Sequence, residues 1–335
     1  MSDYREGEIP RLTADDVNGW LAQFDASDQP IILHEMERIV RRTYISKRTA
    51  ARWIGNIATK PEIVGGNAAD FWTRAGIFVV QHSSRSQAEI ADLLDQELDR
   101  RFGIAANRGA STNSTYFYLD DAIHSGNQAR IDLNRCIEQY DIRNSKIYII
   151  AMAIHRGGQY YANNALSQVT RGRGVTLEWR AGAWVEDRRA YTYTSDVFRP
   201  TALSDDPNVN AWRRTFPEGQ EYFHARQPGG QGALQIFSSE TARETIEQAF
   251  LKRGAYIYSL PQNPDTNMRP LGYSRLRTPG FGSTIITYRN CPNNAPLVMW
   301  WGNPTGGYPL NAWRPLFPRR PRQRPLADVF GIGNA

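Results

Sequence analysis

Three stretches between residues 12 and 60 repeat apolar residues every three or four positions, the spacing of a helix with one buried face. Val17, Trp20, Leu21 and Phe24 follow Thr13, a capping residue, with Asp15 and Asp16 where a helix N-terminus favours acids. Ile31, Ile32, Leu33, Met36, Ile39 and Val40 follow Asp28 and are expected to face inward, and Ala50, Trp53, Ile54 and Ile57 follow Ser46. Pro61 and the pair Gly65-Gly66 close this region.

From residue 75 strands alternate with helices. Ile77-Phe78-Val79-Val80 reads as a short buried strand, 81–86 as a polar loop, and Ala88 to Phe102 as an amphipathic helix with Ile90, Leu93, Leu94 and Leu98 inward. Thr115 to Leu119 reads as a strand that ends on Asp120 and Asp121, followed by a helix from about Ala129 to Tyr140. Lys146 to Ile154 and Gly174 to Trp179 are further strands. This order predicts an α/β fold with a mainly parallel central sheet flanked by helices. Past 181 the pattern is mixed α+β. A helix over 238–253 is capped by Ser238 or Ser239 and stopped by Gly254, Thr284 to Tyr288 is strand-like, and Arg314 to Arg324 is rich in Pro and Arg. The expected organisation is an N-terminal helical segment (1–65), a core (66–180) and a C-terminal hood with a basic tail (181–335).

Composition narrows the class. The 335 residues are 41% hydrophobic and 22% charged, which excludes a disordered chain. Two distant cysteines, Cys136 and Cys291, exclude a disulfide framework and point to a reducing cytoplasm. No apolar run is of membrane-crossing length. A net charge of +6 suits an anionic ligand, although the same charge spread over the surface is ordinary solubility charge.

The richest chemistry is concentrated in Asp120-Asp121-Ala122-Ile123-His124-Ser125-Gly126-Asn127-Gln128. In parallel sheets, ligands bind beyond the carboxyl ends of the strands. A small residue and a glycine before a helix leave several N–H groups pointing outward at its positive end, a cradle for phosphate. Two carboxylates just upstream can accept hydrogen bonds from a vicinal diol and support a magnesium ion through water. A ribose 5-phosphate presents that combination.

Tyr116 to Gln128 resembles the phosphoribosyl-pyrophosphate-binding motif of type I phosphoribosyltransferases: four apolar residues, two acids, two apolar residues, then a hydroxyl-glycine pair. It departs at its last position, where the family has Thr and this chain has Gln128. The resemblance implies a phosphoribosyltransferase-type sheet and Mg2+ carried with phosphoribosyl pyrophosphate. In it Asp120 and Asp121 are catalytic and touch the metal only through water or ribose, and His124, Ser125, Gly126, Asn127 and Gln128 bind substrate. The loop after the first strand, with Ser83, Ser84 and catalytic Arg85, is similar to the family's pyrophosphate loop but lacks its glycines. Trp20 to Phe24, the Leu119 to Gln128 loop, Tyr288 to Leu297 before Trp300-Trp301, and Pro315 to Arg319 resemble, over most of the chain, phosphoribosyltransferase-like proteins of bacterial conflict and anti-phage loci, including some retron effectors. That similarity implies a toxic effector acting in defence.

Other features keep two readings. Asn290, Asn293 and Asn294, near Trp300 and Trp301, form either an acceptor or base pocket or a turn beside core tryptophans. His82, His124 and His155 fall at strand ends, where one can serve as general acid or base or all can be incidental. Lys47, Arg48 and Arg52 lie on one short helix, either a DNA-recognition helix or a solvated face. The tail arginines Arg319, Arg320, Arg322 and Arg324 either bind nucleic acid or a partner, such as a reverse transcriptase complex or another defence protein, or are simply solvated. Three functions follow as expectations: a phosphoribosyl-transferring enzyme, a nucleotide- or nucleic-acid-sensing module without turnover, and a component of a nucleoprotein complex.

Overall fold

A computed structural model describes residues 1–78, 80, 86–217 and 223–319. In chain order its elements are α1 (Ala14–Leu21), α2 (Gln29–Thr43), β1 (Tyr44–Ile45), α3 (Lys47–Ala58), α4 (Pro61–Val64), α5 (Ala68–Arg74), β2 (Gly76–Phe78), α6 (Ser86–Phe102), β3 (Thr115–Ile123), α7 (Asn127–Gln139), β4 (Lys146–His155), α8 (Arg156–Gly172), β5 (Thr176–Val185), α9 (Pro207–Arg213), α10 (Glu240–Ser259), β6 (Ile286–Thr287) and α11 (Leu297–Trp300). They form two compact units. One is Lys47–Trp184; the other joins Met1–Ser46 to Val185–Arg319. The residues expected as one N-terminal helical segment are therefore shared between them, 1–46 in one unit and 47–65 in the other.

The Lys47–Trp184 unit holds a parallel sheet in the order β2-β3-β4-β5, flanked by helices, as the alternating pattern predicts. Alternate strand residues face opposite sides. Phe78, Tyr116, Tyr118, Ile147, Ile149 and Ala151 pack with Ala129, Leu133 and Ile137 of α7 and Ala162 and Leu166 of α8. On the other face, Phe117 stacks on Tyr148 and meets Trp72 of α5, with ring centroids 5.2 Å and 4.6 Å away. Trp72 Nε1 donates to Ala58 O at 2.9 Å, so this buried indole leaves no unsatisfied donor.

Two boundaries differ from expectation. β3 does not stop at Leu119: Asp120 pairs with Ala151, Ala122 with Ala153 and Ile123 with Ile154. β5 begins and ends later, at Thr176 and Val185. The ladder to β4, a buried ten-residue strand, holds the acids in extended backbone despite their low strand propensity.

In the other unit, Thr13 accepts from Asp16 N–H and Asp16 accepts from Thr13 N–H, the reciprocal cap the sequence suggests. In α2, Ile32, Met36 and Ile39 are buried, whereas Leu33, expected inward, is exposed. Ser239 rather than Ser238 caps α10. The helix passes through Gly254, expected as its stop, to Ser259. A Cβ on Gly254 would stand 2.3 Å from Pro270 O, so this glycine allows a close backbone approach. β1 pairs in parallel with β6, and the core gathers Trp20, Phe24, Phe250, Trp313 and Phe317. Among the described residues, no helix is long and apolar enough to cross a membrane.

Candidate functional site

Three helices, α6, α7 and α8, are the next elements in the chain after β2, β3 and β4. Their first-turn N–H groups have no partners within the helix and carry partial positive charge. The loop His124-Ser125-Gly126 joins β3 to α7. Gly126 caps α7 in the left-handed region, φ 71°, and no side chain caps the helix. No acid stands in its first turn. Ser125 is exposed, and its Oγ lies 3.4 Å from Asn127 N.

The loop is pressed onto the first turn of α8. A Cβ on Gly126 would be 2.1 Å from Gly158 O, and one on Gly158 would be 1.9 Å from His124 O. Both positions therefore require glycine. Tyr161 on α8 adds a hydrogen bond from its hydroxyl to Asn127 Oδ1 at 3.3 Å. Neither α8 nor Gly158 is anticipated by the sequence pattern. The signal is the pair Gly157-Gly158 directly after a buried strand.

The two carboxyls end up in different surroundings. Asp120 is buried and Asp121 half-buried. Asp120 Oδ1 accepts from Asp121 N at 2.9 Å, Oδ2 lies 3.4 Å from the Tyr118 hydroxyl, and the Ser86 hydroxyl donates to the carboxyl. Burial, then the neighbouring Asp121 carboxylate, holds Asp120 well above the usual carboxylate range. Asp121 Oδ1 accepts from Ala122 N at 2.8 Å.

Behind Asp120 lies a buried polar network. Asp132 of α7 accepts from Tyr118 Oη at 3.1 Å, Gln128 Nε2 at 2.9 Å and Gln87 Nε2 at 3.4 Å. Gln87 Oε1 accepts from Val80 N at 2.9 Å. The residues on either side of 81–85 are thus tied to the acid-bearing strand and to α7. Gln128, expected to donate to phosphate, is turned toward Asp132 instead. Tyr118, Gln87 and Asp132 were not among the expected site residues, because each reads as an ordinary strand or helix position.

His124 and His155 come together, ring centroids 4.9 Å apart. Burial, then the charge of His124, holds the fully buried His155 well below the ordinary histidine range, so it is neutral. His82, Ser83, Ser84 and Arg85 lie outside the described residues.

A strand carrying an acid pair near its C-terminal end, a glycine-capped helix and a buried network behind them are the setting of the site, and a family-model match over residues 17–319 decides the family. The chain belongs to the PRTase-CE family. The family model matches residues 17–319, nearly the whole chain, and makes it a phosphoribosyltransferase-like protein. No curated protein matches it.

The PRTase-CE match also spans the second unit, where the three asparagines sit in structured turns. Asn290 N–H lies 3.4 Å from Thr287 Oγ1. Asn293 O accepts from Tyr273 N at 2.8 Å. Asn294 donates from Nδ2 to Tyr273 O at 3.0 Å and accepts at its carbonyl from Ser283 N at 3.0 Å. Trp300 and Trp301 are buried core residues, and Trp300 Nε1 donates to Ala295 O at 2.8 Å. In α3, Lys47, Arg48 and Arg52 are exposed. Of the tail arginines only Arg319 is described: its Nε donates to Cys291 O at 3.2 Å. Both cysteines are free and buried, and burial pushes the Cys136 thiol up to about 12.

Proposed function

We propose that this protein binds phosphoribosyl pyrophosphate with magnesium at the C-terminal edge of its sheet and transfers the ribose phosphate to a nitrogenous acceptor, as a toxic effector in anti-phage defence. The observation that carries the reading is the Gly126–Gly158 contact, which fixes the amides at the start of α7 as a rigid phosphate cradle. The 5-phosphate sits on the amides of Ser125 to Gln128, with the Ser125 hydroxyl as a further donor. Asp121, half-exposed, accepts from the ribose hydroxyls, while buried Asp120, which accepts from the Asp121 amide, holds that residue in place. Ser83, Ser84 and Arg85 meet the pyrophosphate in this reading.

Among the described residues, no group of three or more His, Cys, Asp or Glu side chains is placed to hold a metal. The acid pair therefore fits an ion that arrives on the ligand and is touched through water or ribose. Such an ion neutralises the pyrophosphate charge. In the transfer, the bond from ribose C1′ to the pyrophosphate oxygen breaks and pyrophosphate leaves with the electron pair. A bond forms from the acceptor nitrogen to C1′, and that nitrogen loses its proton. Positioning and charge stabilisation carry most of the barrier reduction.

One observation favours a second reading, a sensing module that binds the ligand without turnover: Gln128 is committed to Asp132, so the loop offers one side-chain donor fewer. Mass spectrometry after incubation with magnesium, phosphoribosyl pyrophosphate and candidate acceptors separates the two. Released pyrophosphate or a ribosylated acceptor supports transfer, and intact ligand with measurable binding supports sensing. Replacing both acids together (Asp120→Asn with Asp121→Asn) is expected to abolish binding and any arrest of growth on expression. A folded double variant that still binds and still arrests growth rejects the proposal.

A further inference from the structure

In the unit of Met1–Ser46 and Val185–Arg319, three backbone segments lie against one another with no room for side chains between them. Phe198 N donates to Gly282 O at 2.8 Å, Gly282 N to Leu271 O at 2.7 Å and Leu271 N to Pro279 O at 2.8 Å. A Cβ on Gly282 would stand 2.2 Å from Phe198 O, and one on Gly280 would stand 2.3 Å from the carbonyl carbon of Leu271. Such packing makes a stiff floor. Over it opens a cleft with about 90 Å³ of room for water-sized molecules, its walls including Phe198, Phe223, Phe281, Arg189, Arg199 and His224.

The polar groups of the cleft are fixed and under-used. Glu247, buried between Arg226 and Arg243, accepts from Arg199 N at 2.9 Å and so anchors that backbone. The Arg199 guanidinium donates to Asp187 O at 2.5 Å and to Arg188 O at 3.2 Å. Those two bonds leave most of its five N–H donors unspent, and among the described residues no carboxylate pairs with it. Arg189 is exposed and makes no hydrogen bond or ion pair among the described residues. His224 Nε2 is sealed from water without a hydrogen-bond partner. Burial, then the charges of Arg189 and Arg199, holds His224 below the ordinary histidine range. Asp187 also lines the cleft, so it carries two positive groups against one negative.

Two guanidinium groups and an orphaned imidazole nitrogen suit an oxyanion, and phenylalanine rings suit a flat partner. One water needs roughly 10–15 Å³ of such space. The cleft therefore admits a phosphoryl group but not a whole nucleotide, which leaves the ring of the ligand at the mouth. We propose that this cleft binds the phosphate of a nucleoside monophosphate, with its base against the half-buried Phe223 and Phe281, as a site built wholly from this unit and distinct from the 124–128 loop.

Titration calorimetry of the full chain with adenosine, cytidine, guanosine and uridine monophosphates, adenosine and inorganic phosphate tests this. At least one monophosphate is expected to bind, adenosine not to bind, and inorganic phosphate to bind about tenfold more weakly or worse. Arg189→Ala changes an exposed side chain with no hydrogen bond or ion pair among the described residues, and it should weaken monophosphate binding about tenfold. His224→Phe should weaken it as well. Each titration is repeated in the Asp120→Asn, Asp121→Asn double variant, which removes ribose-phosphate binding at the 124–128 loop, and the binding at this cleft should persist there. The proposal is overturned by absence of monophosphate binding at millimolar concentration, or by inorganic phosphate binding as tightly as the nucleotide. It is overturned equally by indifference to Arg189→Ala in the double variant, or by absence of monophosphate binding in the double variant, which assigns the ligand to the loop instead.

Discussion

Replacing Gly126 by alanine should disable the loop through a contact that no ligand is needed to see. Two costs are separable. Alanine at φ 71° incurs the left-handed penalty, about 1–2 kcal/mol. Its Cβ also meets Gly158 O at 2.1 Å, backbone that no rotamer change can move aside. Relieving that overlap to an ordinary contact displaces the loop by about 1 Å, a misplacement of the size that costs about a hundredfold at a reacting centre. Gly103 supplies the control. It has φ 66° and nothing within 4 Å of its Cβ position, so Gly103→Ala carries the conformational penalty alone. Calorimetry with magnesium and phosphoribosyl pyrophosphate, alongside urea unfolding of both variants, reads the difference. Gly103→Ala should lose about 1–2 kcal/mol of stability and keep its affinity. Gly126→Ala should lose more stability and about two orders of magnitude in affinity. Equal stability losses, or wild-type affinity in Gly126→Ala, would refute the reasoning.

Two further outcomes follow from the buried network. Asp132→Ala leaves the buried donors of Tyr118 and Gln87 without that acceptor, each at about 1–3 kcal/mol before relaxation, while the exposed Gln128 amide turns to water. Urea unfolding should therefore show a loss of about 2 kcal/mol or more, with Asp132→Asn milder because one acceptor oxygen stays; a loss below about 0.5 kcal/mol would contradict the network's role. Asp120 is held above its unfolded value, so its protonated form favours the fold. That contribution is complete below about pH 4, and it declines by about 1.4 kcal/mol per pH unit as pH rises toward the raised value. Asp120→Asn mimics the protonated form, so it should match the wild type in stability near pH 3 and exceed it at neutral pH. A constant difference across that range would show that Asp120 ionises normally.

The sheet and the loop are legible in the sequence because their signals are local. Buried runs such as Lys146 to Ile154 and the acid-to-glycine spacing of 120–126 need no tertiary context. What is not legible depends on contacts distant in sequence. The buried stripe of α8, Gly158, Ala162, Leu166 and Thr170, is made mostly of small residues that show little hydrophobic periodicity. Gly254 reads as a helix stop until Pro270 is seen against it. β3 continues through two acids only because β4 supplies the ladder. The joining of 1–46 to 185–319 is invisible to any local window. At the candidate site the motif's positions were readable, but their division of labour was not. Asp120 turns inward because Tyr118 and Ser86 receive it, and Gln128 turns to Asp132 across one helical turn.

In the proposed reading the main-chain amides of Ser125 to Gln128 receive a sugar phosphate. Amide NMR of the labelled chain titrated with magnesium and phosphoribosyl pyrophosphate tests this. Saturable shifts are expected at those four amides and at Gly158, and are expected to vanish in the Asp120→Asn, Asp121→Asn double variant. Saturable binding that leaves those amides unmoved would contradict it.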